Sequence, residues 1–563
     1  MIDAIRANLG PMMFGGLIVF LLIGYPAAFS LAAVGLFFSF IAIEMGVIAP
    51  QYMGNLTFQL YSIISNDLLL SIPFFTFMGL VLERSGMAED LLDTIGQLFG
   101  PIRGGLAYAV IFVGALLAAT TGVVAASVIS MGLISLPIML RYGYDRRLAS
   151  GVIAASGTLA QIIPPSLVLI VLADQLGRSV GDMYEGAFIP GLVPSALYAG
   201  YVFLVTMVKP ERAPGLPPEA QTLRDADGKT RRFSLLVVTI IAFGLAIAYM
   251  KYFTKVGGGA DFVILTMSIA VAVSFVIALV NKFLGLNLLS RMTEQVVFVM
   301  VPPLALIFLV LGTIFIGVAT PTEGGAMGAA GAILLAWAKK RMTFDLLRQA
   351  TESTAKLSAF VLFILVGARV FSLTFYGVNG HVWVEHLLVG LPGGATGFLI
   401  VVNVMVFLLA FFLDFFELAF IVVPLLGPAA EKLGIDLIWF GVILGVNMQT
   451  SFMHPPFGFA LFFLRSVAPK NAYKDKITGK MMEPVTTGQI YWGAVPFVVI
   501  QCIMVALVVL FPQMVMHYKS SGVQLDQQQI NKQLDSISIP GLGGSGGGLP
   551  GLDLNAPPTL NLK

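Results

Sequence analysis

Apolar stretches of at least about 18 residues recur along the whole of this chain, a length at which a segment crosses hydrocarbon as a helix. Hydrocarbon offers no water to backbone N–H and C=O groups, so a spanning segment has to satisfy them within its own helix. The stretches fall near 12–43, 68–83, 106–141, 147–173, 184–208, 233–252, 262–281, 293–319, 324–338, 356–376, 396–430, 437–464 and 487–512. Composition agrees: 58% of the 563 residues are hydrophobic and 11% charged, against roughly 25% charged in soluble domains. That excludes a soluble enzyme and a disordered protein. A net charge of +2 gives no basic field for nucleic acid. The single cysteine, Cys502, lies in an apolar run and excludes a disulfide framework or a cysteine metal site. No small-residue cleavage site follows the first apolar run, so no removable signal peptide is expected.

Two segments look like re-entrant hairpins and two like broken helices. The runs 106–141 and 396–430 are long enough for paired half-crossings, with breaks at Thr120-Thr121-Gly122 and at Asp414 through Glu417. The runs 147–173 and 437–464 are interrupted by Pro164-Pro165 and Pro455-Pro456, where missing N–H donors and ring clashes open a helix. With 106–141 and 396–430 as hairpins, one face of the membrane receives 23 of the 32 Lys and Arg residues and the other receives four. Cytoplasmic loops retain Lys and Arg, so that division sets the orientation. Whether 12–43 is one span or two broken at Pro26 stays open at this point.

The chain repeats itself. A shift of 291 residues places Pro137 on Pro428, Gly143 on Gly434, Asp145 on Asp436 and Pro164-Pro165 on Pro455-Pro456. The charge division gives the copies opposite orientations, an arrangement found in secondary transporters. The expected fold is an all-α polytopic membrane protein with an inverted-topology repeat. Its parts are N-terminal scaffold helices (1–65), a first repeat (66–208), a cytoplasmic linker (209–232), inter-repeat helices (233–292), a second repeat (293–512) and a disordered tail (513–563).

Breaks in mid-membrane expose backbone groups that attract ions. The first candidate site joins Thr120, Thr121 and Gly122 to Ser156, Gly157, Thr158 and the chain before Pro165. The second joins Asp414 and Glu417 to Asn447, Gln449, Thr450, Ser451 and the chain before Pro456. Each hydroxyl alone reads equally as a bond between helices; the clusters together favour ligation of Na⁺. Arg369, inside the run 360–375, either binds a substrate carboxylate or pairs with Asp414 or Glu417. His454 is a proton-linked group or a hydrogen-bonded structural histidine. Thr320-Pro321-Thr322-Glu323 reads as a helix cap. Gly228-Lys229-Thr230 has the ending of a phosphate-binding loop, but Leu223 stands where its first glycine belongs. His381 and His386 have the wrong spacing for a zinc helix. No enzymatic constellation is present.

Three stretches, Thr120–Pro194, Gly317–Ala329 (GVATPTEGGAMGA) and Leu433–Phe463, resemble the large membrane subunit, DctM, of tripartite ATP-independent periplasmic (TRAP) transporters. The similarity runs from about residue 10 to 512. It implies Na⁺-driven uptake of organic acids by an elevator motion, without any cofactor beyond the coupling ion, in a bacterial inner membrane. It also implies a small DctQ-type membrane subunit and a soluble periplasmic DctP-type binding protein. On that pattern Thr121 takes the place of a serine near the first Na⁺, and carbonyls of Ala160, Ile163 and Pro165 complete that site. Read from the residues alone, the candidates for the second Na⁺ site are Asp414, Glu417, Thr450, Ser451, His454 and Pro456, and those for the substrate are Arg369 and Asn447. Two departures stand out: the tip usually written Ser-Gly-Ser is Thr121-Gly122-Val123, and Ala160-Gln161 replaces a glycine before the prolines. The alternatives are a standalone Na⁺ or H⁺ antiporter and a non-transporting scaffold.

Overall fold

The computed structural model describes residues 2–122, 124–223, 233–254, 260–286, 288–411, 413–456, 458–475 and 477–517, without the side chains of 2–4, 22, 120, 121, 260 and 261. Of the expected disordered tail 513–563, Gln513–Met516 is instead helical, with Val515 buried, while the residues beyond 517 and linker residues 224–232, with Gly228-Lys229-Thr230, lie outside the described residues. Residues Met1–Tyr518 form one compact unit.

Among the described residues, eight helices are long and apolar enough to cross a membrane, and the bent pairs Pro50–Ile64 with Asp67–Arg84 and Gly380–Val389 with Gly394–Leu409 bring the number to ten. The protein is all-α and polytopic; one two-residue strand pair, Tyr473–Lys474 with Met481–Met482, is the sheet among the described residues. The run 12–43 resolves into two helices, Leu9–Ile23 and Ala27–Glu44. Gly24, at φ +91°, ends the first, and Pro26 sets up the second.

The scaffold helices pack through small residues. Ala27–Glu44 lies along Phe344–Gly377, and Asp67–Arg84 lies along Pro321–Ala338. A Cβ on Gly35 would sit 3.0 Å from the backbone of Phe371, and one on Gly367 would sit 2.4 Å from the carbonyl of Ala28. In lipid, where apolar surface alone does not drive helices together, such close approach supplies the attraction. Thr374 adds a hydrogen bond from Oγ1 to the Gly35 carbonyl at 3.0 Å. Phe233–Phe253 and Phe262–Phe283, between the repeats, are largely unburied within the chain and present apolar side chains outward, as lipid-facing helices do.

The repeat is visible in the elements themselves. Val124–Arg141 in the first copy corresponds to Phe415–Lys432 in the second, both ends shifted by 291 residues. Gly143 and Gly434 both adopt positive φ, and Asp145 and Asp436 each accept two N–H bonds from the helix that follows. The bonds Pro164–Pro165 and Pro455–Pro456 are both cis. Ion pairs join elements distant in sequence: Arg141–Asp475, Arg146–Glu483, Arg341–Asp90, Arg178–Glu431 and Lys432–Glu385.

Candidate transport site

The first tip is built by glycine. Helix Gly105–Thr121 ends where Gly122 turns into left-handed backbone at φ +58°. Thr120 and Thr121 close that helix, and their side chains, like residue Val123, lie outside the described residues. A Cβ on Gly122 would stand 3.1 Å from Leu167 Cγ, so the tip seats directly on the chain after the first break.

At that break, helix Arg146–Thr158 tightens into a 3₁₀ turn at Leu159–Gln161, passes the proline pair, and restarts at Leu167. Ser166 governs the restart: its Oγ donates to the Gln161 carbonyl at 2.6 Å and accepts from Val168 N–H at 3.2 Å. The carbonyls of Ala160, Ile163 and Pro165 accept no hydrogen bond from the described residues.

The second tip carries acid groups. Asp414 Oδ1 accepts Glu417 N–H at 2.8 Å, and Glu417 Oε2 accepts Asp414 N–H at 3.0 Å, a reciprocal cap on the helix restart. A π-turn at Leu418–Val422 follows. Helix Leu437–Ser451 ends at the second break, and Phe459–Val467 resumes beyond it.

One cavity of about 240 Å³ collects all four irregular points. Gly122, Val124 and Ala125 come from the first tip, Gln161, Leu167 and Val168 from the first break, Asp414–Phe416 from the second tip, and Phe452 and Phe459 from the second break. Leu357 and Phe360 of Phe344–Gly377 close it from the scaffold helix.

Arg369, on that same helix, opens into a second cavity of about 560 Å³ with Tyr52, Gln59, Asp174, Gln175, Ser372 and Tyr376. Arg369 makes no ion pair among the described residues, so the pairing with Asp414 or Glu417 is not formed; those carboxylates cap each other instead. Asp174 is already engaged: its oxygens accept from Asn66 Nδ2 at 2.9 Å and Gln175 Nε2 at 2.8 Å.

Other expected residues serve the frame. Asn447 lines neither of these cavities; its Nδ2 donates to the Asn403 carbonyl and Oδ1, both at 2.8 Å, and so ties helix Leu437–Ser451 to Gly394–Leu409. Thr450 and Ser451 donate back to carbonyls of their own helix, Asn447 and Met448. Ser156 is fully buried under the first hairpin leg, where a Cβ on Gly114 would lie 2.5 Å from its own. His454 is 4% exposed and stacks on Phe411 at 3.8 Å. Neither of its ring nitrogens meets strict hydrogen-bond geometry with a described residue, and the backbone of Thr450 and Ser451 lies beside the ring. The Pro456 carbonyl accepts Tyr491 Oη–H at 3.3 Å. Thr320 and Glu323 form the expected capping box.

Two residues that sequence reasoning passes over, Tyr198 and Gln501, join Thr158 and Gln449 in a buried polar knot. The Gln501 amide donates to Tyr198 Oη at 2.8 Å, and both glutamine amides donate to Thr158 Oγ1 at 3.3 Å. A polar residue inside an otherwise apolar helix, as Gln501 is, was the one available signal.

Residues 14–514 match the family described as tripartite ATP-independent periplasmic transporter, DctM component. The C4-dicarboxylate TRAP transporter large permease protein DctM of Pseudomonas aeruginosa is 26% identical over 431 residues, covering 76% of this chain and 83% of that one. The ectoine TRAP transporter large permease protein TeaC of Halomonas elongata is 23% identical over 507 residues, covering 89% and 97%. Among solved structures, the Alcanivorax borkumensis YdaH transporter aligns with a TM-score of 0.44 at 15% identity, over 82% of this chain and 87% of that one. The chain is a multi-pass membrane protein and belongs to the DctM family of TRAP transporter large permeases.

Proposed function

We propose that this permease imports a small organic acid by Na⁺ symport across a bacterial inner membrane, together with a small DctQ-type membrane subunit and a periplasmic DctP-type binding protein. The convergence of two tips and two breaks on one cavity is the observation that carries the reading. Uncommitted carbonyls at Ala160, Ile163 and Pro165 are hard oxygen donors suited to Na⁺. With Thr121 and Gly122 they make the first ion site, with Thr120, Ser156 and Thr158 behind it. Asp414, Glu417 and the break around Thr450, Ser451, His454 and Pro456 make the second. Arg369 receives the acid's carboxylate in its own cavity, where an uncompensated guanidinium gains most from an anion. The two hairpins then carry the cargo past the scaffold helices as an elevator. Each Na⁺ moving inward down 100 mV supplies about 2.3 kcal/mol.

The test is reconstitution with both partners in liposomes under an imposed Na⁺ gradient. Uptake that requires Na⁺ and the binding protein is expected, and uptake by this chain alone or without Na⁺ would refute it. Arg369→Gln is expected to raise the half-saturating substrate concentration roughly 10- to 100-fold, the worth of a charge-assisted hydrogen bond. Arg369→Lys should recover part of it.

A further inference from the structure

We propose that a groove beside the first hairpin leg binds one acyl chain of a bilayer phospholipid, with the phosphate of that lipid held at Arg103.

Three helices frame the groove, which has a volume of about 540 Å³. Gly105–Thr121 lines it with one helical stripe from Tyr108 to Ala119, Val180–Val208 with another from Phe188 to Ala199, and Arg291–Phe315 with a third from Leu304 to Leu311. Tyr108 and Ser195 are the polar side chains among its described lining residues. Phe112 and Leu192, at 40% and 45% exposure, mark the open side. The helices are apolar segments of a membrane protein, so that side opens on hydrocarbon and not on water. Walls without a neighbour forfeit their dispersion contacts, and an acyl chain restores them.

Dimensions select the occupant. At about 1.5 Å of rise per residue, the steps from Tyr108 to Ala119 and from Phe188 to Ala199 each cover about 16 Å. One leaflet of a hydrocarbon core about 30 Å thick is about 15 Å deep, the reach of a single acyl chain. A helix of a partner subunit, about 10 Å across, would fill more than about 1,000 Å³ over that length, roughly twice what the groove offers. The inner end of the groove meets Ile163 and Pro164 of the first break. At the outer end a Cβ on Gly104 would lie 2.8 Å from Thr206 and 3.0 Å from Val202, so both stripes finish beside the turn that carries Arg103. Arg103 is exposed and makes no ion pair with a described residue. A guanidinium there holds a phosphate by paired charge-assisted hydrogen bonds.

The full-length chain, purified in mild detergent and stripped of lipid, is to be titrated with dioleoyl phosphatidylglycerol and read by native mass spectrometry. One lipid is expected to bind well ahead of any others. Ala115→Leu with Ala196→Leu fills the groove and should move that first step roughly tenfold to higher concentration, the worth of about two buried methylenes. Arg103→Gln should weaken the step by a similar factor, its charge-assisted bonds being lost. Ala115→Leu alone adds less bulk, guards against misfolding, and should shift the step the same way by less. Gly244→Leu, on the lipid-facing helix Phe233–Phe253 where a Cβ meets nothing within 4 Å, should leave it unchanged. An equal effect of Gly244→Leu, or none from the filled groove, overturns the proposal. Dioctanoyl phosphatidylglycerol binding as tightly as the dioleoyl lipid leaves a head-group contact alone and overturns the chain site. Palmitate binding more tightly than the phospholipid overturns the choice of lipid. Loss of the lipid on co-purification with a DctQ-type subunit makes that subunit the occupant and overturns the proposal as well.

Discussion

Gln449 donates from Nε2 to Thr158 Oγ1 at 3.3 Å, and the two residues stand 291 positions apart, the spacing of the internal repeat. Equivalent positions of the two copies therefore touch, and the knot they form with Tyr198 and Gln501 lies at the seam between the copies. Thr158→Val removes the acceptor that two buried amides share. Leaving buried donors unmatched costs about 1–3 kcal/mol, so the unfolding midpoint should fall. Because the four groups act together, Thr158→Val combined with Gln501→Leu should cost less than the sum of the single changes, as a double-mutant cycle would read.

Asp414→Asn separates charge from structure at the second tip. Asparagine keeps the oxygen that accepts the Glu417 N–H, so the cap and the fold should persist. Na⁺ activation of uptake should weaken roughly tenfold or more, since a charged ligand to a cation is lost. Unchanged Na⁺ activation would remove Asp414 from the ion site.

Asp475 anchors the loop of the strand pair to the base of the first hairpin. Arg141 contacts both its oxygens from Nε at 3.1 Å, and Thr478 donates from N–H at 2.8 Å and from Oγ1 at 2.6 Å. The Arg141 and Thr478 hydrogen bonds hold the carboxyl well below the usual carboxylate range. A lowered folded pKa means the stabilisation is fully present above the ordinary aspartate pKa and is lost only as pH falls through the depressed value. Proteolytic nicking at 470–482 should thus stay slow from neutral pH down to about the ordinary aspartate pKa of 3.9. Asp475→Asn should nick rapidly at every pH.

Gly493 and Gly151 bring two helices into backbone contact. A Cβ on Gly493 would lie 2.1 Å from the Arg147 carbonyl, and one on Gly151 would lie 2.1 Å from that of Gly493. Gly493→Val has no side chain to push aside and should cost at least about 1–3 kcal/mol. Reduced accumulation in membranes, with rescue absent at added Na⁺, is the expected outcome.

Segment length and proline spacing carried much of the architecture in the sequence, because an unpaired backbone group in hydrocarbon costs several kcal/mol. The helical stretch from Phe415 through the π-turn to Lys432 begins and ends where the 291-residue shift from Val124–Arg141 puts it. What the sequence hid was partner choice. Asp414 and Glu417 satisfy each other instead of Arg369, since a cap three residues away forms locally and needs no approach of another helix. Asn447 turned to Asn403 for the same want of long-range information. The phenylalanines of the tip cavity were indistinguishable from lipid-facing ones, because an apolar solvent erases the contrast between outside and inside that marks a core in water.

Helix Phe344–Gly377 walls both cavities, with Phe360 in one and Arg369 in the other. Nine residues at about 1.5 Å of rise put them about 13 Å apart along its axis, somewhat under half of a hydrocarbon layer of about 30 Å. A helix rooted in the scaffold thus serves as a fixed scale against which any travel of the tips can be read. A spin label or cross-link beside Phe360 and another beside Arg369 mark its two graduations, and the stroke is the number of turns a tip residue passes between them.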